Sequence, residues 1–240
     1  MLCEAVFQAA GRNRPRRTLT QRGRFNGYGD RRGSGRGLVD AGGRGSGPLI
    51  EAGLEAIGSS IESVALVVLT HHHPDHTGGL AGVVERSSAS VAAHTLEAPI
   101  IDGSVRMPNP YRNKLFGAVA VPVVASINGP PVGVDHHLED GDRLPVGDEI
   151  RVVHTPGHTQ GSTCLLLEPR GVLIVGDALQ YKSGRLGPPV ALVTQDTEEA
   201  TASIGKMAEF EFDTIAFSHF PPLRVNAGEA IKRLTGEASA

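Results

Sequence analysis

The sequence of 240 residues contains no tryptophan, 4% aromatic residues and two cysteines, Cys3 and Cys164. Two cysteines cannot form the disulfide framework of a small secreted domain, and Cys164, in the apolar segment STCLLLE, is expected to be a buried thiol. No apolar run is long enough to cross a membrane. The first residues also lack the basic region of a signal peptide. These absences together predict a cytoplasmic chain without a disulfide scaffold.

The chain is long enough to bury the core of one α/β domain, and 40% of its residues are apolar. The segment DTEEATASIGKMAEF gives the clearest helical pattern, with an acidic first turn and apolar residues at helical spacing. Short apolar runs predict strands at residues 64–70, 150–154, 163–167 and 172–175. Residues 103–134 are rich in proline and glycine and predict a long irregular connection. The alternation of strands and helices fits two sheets with helices outside.

Histidine is concentrated in one short segment, LTHHHPDHTGGL, where four of the ten histidines lie beside an aspartate. The segment follows the apolar run SVALVVLT, and the ends of strands are where α/β proteins carry functional groups. His72 is expected to face away from its neighbours if the loop alternates, and the following glycine pair to permit a tight turn. The remaining residues form the pattern H-x-H-x-D-H, which could direct side chains at two cations: His71, His73, Asp75 and His76.

This motif, the strand before it and the TGGL after it resemble the metallo-β-lactamase superfamily of metallohydrolases. The resemblance implies an α/β fold, an αββα four-layer sandwich that holds one or two metal ions at the edge between its sheets. Three further segments at the ends of apolar runs match the other ligand motifs of the superfamily: VVHTPGHTQGS, VLIVGDAL and FDTIAFSHF. By this resemblance the metal ligands are His71, His73 and His158 at one site and Asp75, His76 and His219 at the other, with Asp177 linking the two.

The same resemblance implies a binuclear metallohydrolase, similar to single-domain glyoxalase II or lactonase proteins. Two zinc ions are expected, with iron or manganese as alternatives. Hydroxide formed at the metals near neutral pH would attack an ester, thioester or lactone carbonyl, and Asp75 would orient it and pass a proton to the leaving group. Asp40, in LVDAGG, matches an aspartate found near the metals. Tyr181 follows Asp177 by four residues, one residue off the spacing of a substrate-binding tyrosine in the lactonases.

Two alternative functions remain open. Persulfide dioxygenases resemble the same fold but use one iron ion held by two histidines and an aspartate. A nucleic-acid-binding member would instead use a basic N-terminal arm. The expected partner is a small-molecule substrate, with neither a membrane nor a nucleic acid expected, and the sequence gives no oligomeric state.

Residues 1–37 depart from the superfamily pattern, because arginine and glycine replace the alternating apolar residues of its first strands. Residues 1–44 contain ten arginines and three acidic residues, whereas the remainder has 13 basic and 23 acidic residues. Three interpretations stay open: a basic arm, a disordered tail, or a segment from a shifted reading frame. We therefore predict a metallo-β-lactamase-like domain over residues 38–240 and an atypical segment over residues 1–37, with the first strands of the fold degraded.

Overall fold

A computed structural model of the protein describes residues 6–8, 36–109, 128–144 and 150–236, and of residues 6–8 it describes the backbone alone. The helices in these ranges are α1 (Gly47–Ala56), α2 (Pro74–Thr77), α3 (Leu80–Ser87), α4 (Ala98–Ile101), α5 (Thr197–Ala208) and α6 (Ala227–Thr235). The strands are β1 (Val6–Gln8), β2 (Arg36–Val39), β3 (Val64–Val68), β4 (Ser90–His94), β5 (His136–Leu138), β6 (Arg143–Leu144), β7 (Ile150–His154), β8 (Thr163–Leu167), β9 (Val172–Ile174), β10 (Gln180–Lys182), β11 (Arg185–Gly187) and β12 (Thr214–Ala216).

The strands form two five-stranded sheets and one hairpin. The first sheet has the order β1-β2-β3-β4-β5, in which β2 to β5 run parallel and β1 pairs antiparallel with β2. The second sheet has the order β12-β9-β8-β7-β6, and its one parallel pair is β12 with β9. Strands β10 and β11 form the separate hairpin.

Three apolar clusters divide the described residues into four layers. Leu66 and Val68 of β3 belong to the cluster between the sheets, where they meet residues such as Leu165 of β8. Val67 points the other way, into a cluster with α1 and α3. On the far face of the second sheet, Leu166 belongs to a cluster with α5 and α6. Adjacent residues of a strand therefore point to opposite faces of the sheet, and apolar clusters cover both faces of each sheet. The predicted αββα sandwich is confirmed.

Several predicted elements match the described chain closely. The segment DTEEATASIGKMAEF contains α5, and its N-cap Asp196 accepts hydrogen bonds from the backbone N–H groups of Glu198 and Glu199. Cys164 is fully buried in β8, as expected for a packing thiol. Residues 103–109 and 128–134 contain neither helix nor strand, and residues 110–127 of the predicted connection lie outside the described chain. Among the described helices, none is long and apolar enough to span a bilayer.

The first sheet corrects the expectation that the opening strands of the fold are degraded. Val6, Phe7 and Gln8 pair with Leu38, Gly37 and Arg36, so β1 and β2 are both present at the edge of the sheet. A strand forms through its backbone hydrogen bonds, so the arginine and glycine that begin β2 do not prevent pairing. The predicted boundary between residues 37 and 38 falls inside β2. The rest of the arginine-rich segment, residues 1–5 and 9–35, lies outside the described chain.

Candidate metal centre

The H-x-H-x-D-H motif lies in a loop and one helical turn directly after β3. Strand β3 ends at Val68, and His73 is the N-cap residue of α2, which has Pro74 at its first position. Proline suits this position because its fixed φ matches the helix and its missing N–H would have had no helical partner. The single turn of α2 then carries Asp75 and His76 toward the same edge of the sheets.

The glycine pair after the motif lies so close to neighbouring backbone that a side chain would not fit. Gly78 and Gly79 form the predicted turn between α2 and α3, with φ angles of −60° and −89° that any residue can adopt. A Cβ atom on Gly78 would lie 2.5 Å from the carbonyl oxygen of Pro74, and one on Gly79 would lie 2.3 Å from that of Ala41. Side chains at these positions would therefore push the motif away from the loop after β2.

Three buried imidazoles form the first cluster, at the positions that the sequence assigned to one site. The Nδ1 atom of His73 lies 3.1 Å from Nε2 of His71 and 3.0 Å from Nε2 of His158. All three side chains are nearly inaccessible to solvent. Burial is the main cause that lowers the pKa of each ring, to about 3 for His73 and about 4 for His158. The cluster therefore presents neutral nitrogens, the form in which histidine binds a metal.

Two threonines orient the outer rings of this cluster. The hydroxyl of Thr70 donates to the carboxylate of Asp40 at 2.9 Å, so it accepts from Nδ1 of His71 at 3.0 Å. The hydroxyl of Thr194 donates to the carbonyl oxygen of Val190, so it likewise accepts from Nδ1 of His158 at 3.4 Å. With the proton of each ring held at Nδ1, the Nε2 lone pairs of both rings face the cluster.

The second cluster combines two carboxylates with two imidazoles. Asp75, His76, Asp177 and His219 each bring one ligand atom into a group in which all these atoms lie within 4.8 Å of one another. Nε2 of His219 lies 3.2 Å from Asp75 and 3.3 Å from Asp177, and Nε2 of His76 lies 3.5 Å from Asp177. Asp75 and His219 are partly open to solvent, with exposed fractions of 55% and 39% for their side chains. A small molecule can therefore approach this cluster from one side.

The groups of the second cluster favour each other's charged forms. Hydrogen bonding to Asp177 and Asp75 raises the pKa of His219 to about 9. Burial would lower the pKa of His76, but the charge of Asp40 and the hydrogen bond to Asp177 raise it well above its usual value. Burial would raise the pKa of Asp75, yet the hydrogen bond from His219 lowers it to about 2. Protons thus occupy this cluster when it holds no cation, and a cation would replace them.

Asp177 lies between the two clusters, as a ligand shared by two metal ions would. Its Oδ1 atom faces His76 and His219 of the second cluster, whereas its Oδ2 atom lies 3.8 Å from Nε2 of His158 in the first. The preceding Gly176 has φ of +51°, and a Cβ atom there would lie 2.8 Å from the hydroxyl of Thr70. Glycine therefore suits this position through both its left-handed conformation and its small size.

Asp40 supports both clusters from the end of β2. Its carboxylate accepts hydrogen bonds from the backbone N–H of Thr70 at 2.8 Å, from the hydroxyl of Thr70, and from Nδ1 of His76 at 2.8 Å. Its own backbone N–H donates to the carbonyl oxygen of Val68. The predicted position of Asp40 beside the metal-ligand candidates is therefore the one found, and its contacts fix the ring orientation of His76.

His72 points away from both clusters and contacts a residue that the sequence did not single out. Its backbone N–H and its Nδ1 atom both hydrogen bond to the carboxylate of Glu97, which is 1% exposed. Burial would raise the pKa of Glu97, but the hydrogen bonds from His72 and Thr159 lower it. No motif marks Glu97 or Thr194, because each acts through contacts with residues distant in sequence.

Tyr181, the predicted substrate-binding residue, lies in β10 with its ring stacked on Phe217 at a centroid distance of 5.9 Å. Its role in substrate binding stays a prediction. A cavity of about 390 Å³ lies beside the segment with the H-x-H-x-D-H motif after β3, which we call the metal loop. Its lining includes His72, Thr77 and Arg106.

A four-layer sandwich with histidine and aspartate clusters at the strand ends defines a class of metal-binding proteins, and sequence comparison identifies the family. The profile of the Metallo-beta-lactamase superfamily matches residues 31–219, and the chain belongs to this superfamily. The superfamily consists of metallohydrolases that bind metal ions, which agrees with the donor atoms of both clusters.

Several named proteins are similar to this chain in sequence. A probable metallo-hydrolase of Bacillus subtilis (strain 168), YflN, is 30% identical over 203 residues, which cover 78% of this chain and 75% of the relative. A hydroxyacylglutathione hydrolase of Chelativorans sp. (strain BNC1) is 27% identical over 75% of this chain and 55% of its own length. The acyl-coenzyme A thioesterase MBLAC2 of Homo sapiens is 33% identical over 48% and 41%, respectively. The chain thus spans about half or less of the latter two relatives.

Solved structures show the same fold. A metallo-beta-lactamase family protein from Thermus thermophilus superposes with a TM-score of 0.63 at 27% identity, covering 84% of this chain and 70% of that one. BJP-1, a subclass B3 metallo-beta-lactamase of Bradyrhizobium japonicum, gives a TM-score of 0.60 at 22% identity, covering 84% and 80%. At that identity the second likeness establishes the fold alone.

Proposed function

We propose that the protein is a binuclear metallohydrolase that cleaves an ester, thioester or lactone carbonyl, with two zinc ions as its cofactors. The observation that carries this proposal is the pair of adjacent clusters with Asp177 between them. Imidazole and carboxylate groups are the ligands that zinc prefers alongside thiolate. A catalytic zinc site has three protein ligands and leaves a position for water or substrate, and His71, His73 and His158 fit that pattern.

The first cluster also fits a metal in its spacing. Ligand nitrogens about 2.0–2.1 Å from a tetrahedral zinc ion are separated by about 3.3 Å. The separations of 3.0 and 3.1 Å from His73 lie close to this value. The three rings are neutral, so their convergent lone pairs gain a shared partner when a cation binds.

Metal ions at these clusters would supply two kinds of chemistry, acidification of water and polarisation of a carbonyl group. The side chains of the protein would position the reacting groups around these ions. Asp75 is the more exposed carboxylate of the second cluster and stays ionised, so it can orient a nucleophile and transfer a proton to a leaving group. Asp177, whose side chain is 19% exposed, would lie between the two cations and offset their charge.

The substrate class rests on the named relatives as well as on this geometry. The thioesterase and the hydroxyacylglutathione hydrolase support a thioester or ester substrate, and the partly exposed second cluster gives a small molecule access. A basic arm that binds nucleic acid gains no support here, because most of the arginine-rich segment lies outside the described residues.

Metal analysis of the purified protein, combined with a panel of thioester, ester and lactone substrates, tests the proposal. We expect two zinc ions per chain and turnover of at least one class. His158→Ala should release metal and abolish turnover, because it removes one of the three imidazoles of the first cluster. The exposed His137→Ala variant serves as the matched control and should retain both properties.

Three results would contradict the proposal. One iron ion per chain with oxygen uptake would indicate a persulfide dioxygenase. Full activity of the His158→Ala variant would refute the ligand assignment. Salt-sensitive binding of nucleic acid without hydrolysis of any substrate would indicate a binding protein.

A further inference from the structure

Glu97 connects the two loops that carry the first cluster. It is the N-cap residue of α4, and its side chain is almost fully buried. Its Oε2 atom accepts from the backbone N–H of His72 at 2.7 Å and also hydrogen bonds to Nδ1 of His72. Its Oε1 atom accepts from the backbone N–H of Gly161 at 2.7 Å and from the hydroxyl of Thr159 at 2.8 Å. One oxygen therefore contacts each loop.

These contacts lie immediately beside the ligand candidates. His72 stands between His71 and His73, and Thr159 follows His158 directly in the sequence. The two loops are 85 residues apart where His73 meets His158, yet those rings approach to 3.0 Å. The loops come from different sheets, so no strand ladder sets that separation. Between the flanking strands one backbone hydrogen bond crosses, from the N–H of Thr163 to the carbonyl oxygen of Thr70 at 3.0 Å, and Glu97 joins the loops themselves.

The packing around the carboxylate leaves no room for adjustment. A Cβ atom on Gly161 would lie 2.6 Å from Cγ of Glu97 and 2.7 Å from its Oε1 atom. A glycine is thus needed for the second loop to reach the carboxylate. A buried carboxylate without partners would be strongly unfavourable, so the four donors and the acceptor stabilise one another.

We propose that Glu97 is a positioning residue that sets the distance between the metal loop and the His158 loop, and so holds the first cluster ready for a cation. This inference rests on the proposed metal centre, although it does not depend on which substrate is hydrolysed. It assigns no contact between Glu97 and either metal or substrate. Its action passes through the backbone of His72 and Gly161.

Glu97→Gln is the sharpest variant, because it keeps the size of the side chain but replaces one acceptor oxygen with an NH₂ group. Whichever way the amide is turned, that NH₂ group faces a backbone N–H, of either His72 or Gly161, which cannot accept a hydrogen bond. Outer partners of metal ligands typically change affinity by about 10- to 100-fold, and we expect a loss in this range at the first cluster.

The measurements are chelator-competition titration of zinc and the visible spectrum of the cobalt-substituted protein, which reports the arrangement of ligands. Glu97→Gln should weaken the tighter or first-filled site and shift the cobalt bands. Thr159→Val, which removes one contact to Oε1 and leaves the others, should change both in the same direction by a smaller amount. The exposed Glu211→Gln variant is the matched control and should match the wild type.

The spectrum separates positioning from a general structural role. If the folded Glu97→Gln and Thr159→Val proteins unfold at lower temperature but keep wild-type zinc affinity and cobalt bands, the inference is overturned. It is also overturned if the wild-type protein binds no metal. If the wild type binds metal but hydrolyses none of the substrates, the proposed function fails, whereas the affinities and spectra still decide the role of Glu97.

Discussion

Replacing Asp40 with asparagine changes the proton position on His76 without changing the size of the buried side chain. The backbone N–H of Thr70 donates to Oδ1 of Asp40, so the oxygen of the new amide must occupy that place. The NH₂ group then replaces Oδ2 and faces Nδ1 of His76, 2.8 Å away in the wild type. Since the NH₂ group donates, Nδ1 must accept. In the neutral ring, the form that binds a metal, the single proton would therefore lie on Nε2 instead of Nδ1.

This shift places an N–H where the second cluster needs a lone pair. Nε2 of His76 is the atom that lies 3.5 Å from Asp177 and joins the other ligand atoms of the cluster. Loss of an outer carboxylate partner typically lowers metal affinity by about 10- to 100-fold, or roughly 1.4–2.8 kcal/mol. The fold should lose a further ~1–3 kcal/mol, because the Thr70 hydroxyl also loses its acceptor at Oδ2.

The assay for Asp40→Asn is a titration of two metal equivalents against a chelator, with thermal unfolding measured on the metal-free protein. We expect weaker binding at the second cluster and a smaller effect at the first. The exposed Asp213→Asn variant provides the matched control. If Asp40→Asn lowers the unfolding temperature but leaves the second affinity within twofold of the wild type, Asp40 serves folding alone and the tautomer explanation is refuted.

Three further predictions concern the second cluster. Asp177→Asn should weaken metal binding by more than the ~10- to 100-fold expected for an outer partner, since it removes the charge between the clusters, and retention of two tightly bound metals would contradict the binuclear proposal. Raising the pH from about 6.5 to 9 should strengthen metal binding at this cluster, because His219, with a pKa of about 9 in the metal-free protein, must lose its proton. Over the same window the metal-free fold should lose the stabilisation that protonated His219 provides below pH 6.5, which unfolding scans with a chelator present would detect.

The fold and the ligand candidates were predictable because each depends on a local signal. The run TCLLL is apolar at every position after Thr163, and β8 is buried at every position between two layers. Each predicted ligand follows such a run, and the strand ends meet at one edge of the two sheets. The resemblance to the superfamily divided these residues between two sites, and the structure brings them together in two groups of the same composition, apart from Asp177, which lies with the second.

The residues that contact the ligand candidates from outside the clusters were not predictable from local sequence patterns. Glu97 lies in VAAHTLEAP, where an acidic residue near a helix start is ordinary, and its function depends on loops 25 and 64 residues away. Thr194 contacts His158 across 36 residues. The glycines after the motif form the predicted turn, but the close backbone approach that excludes a side chain there depends on Pro74 and Ala41 and has no local signal.

The position of Asp40 ties the unusual N-terminal segment to the metal centre. Asp40 directly follows β2, which begins at Arg36 inside that segment and pairs with both β1 and β3. Strand β2 fixes the position of the Asp40 carboxylate beside Thr70 and His76. It does so because the backbone N–H of Asp40 donates to the carbonyl oxygen of Val68 and extends the hydrogen bonding between β2 and β3. A boundary placed at residue 37 would divide this strand, so we propose that the domain begins no later than Arg36.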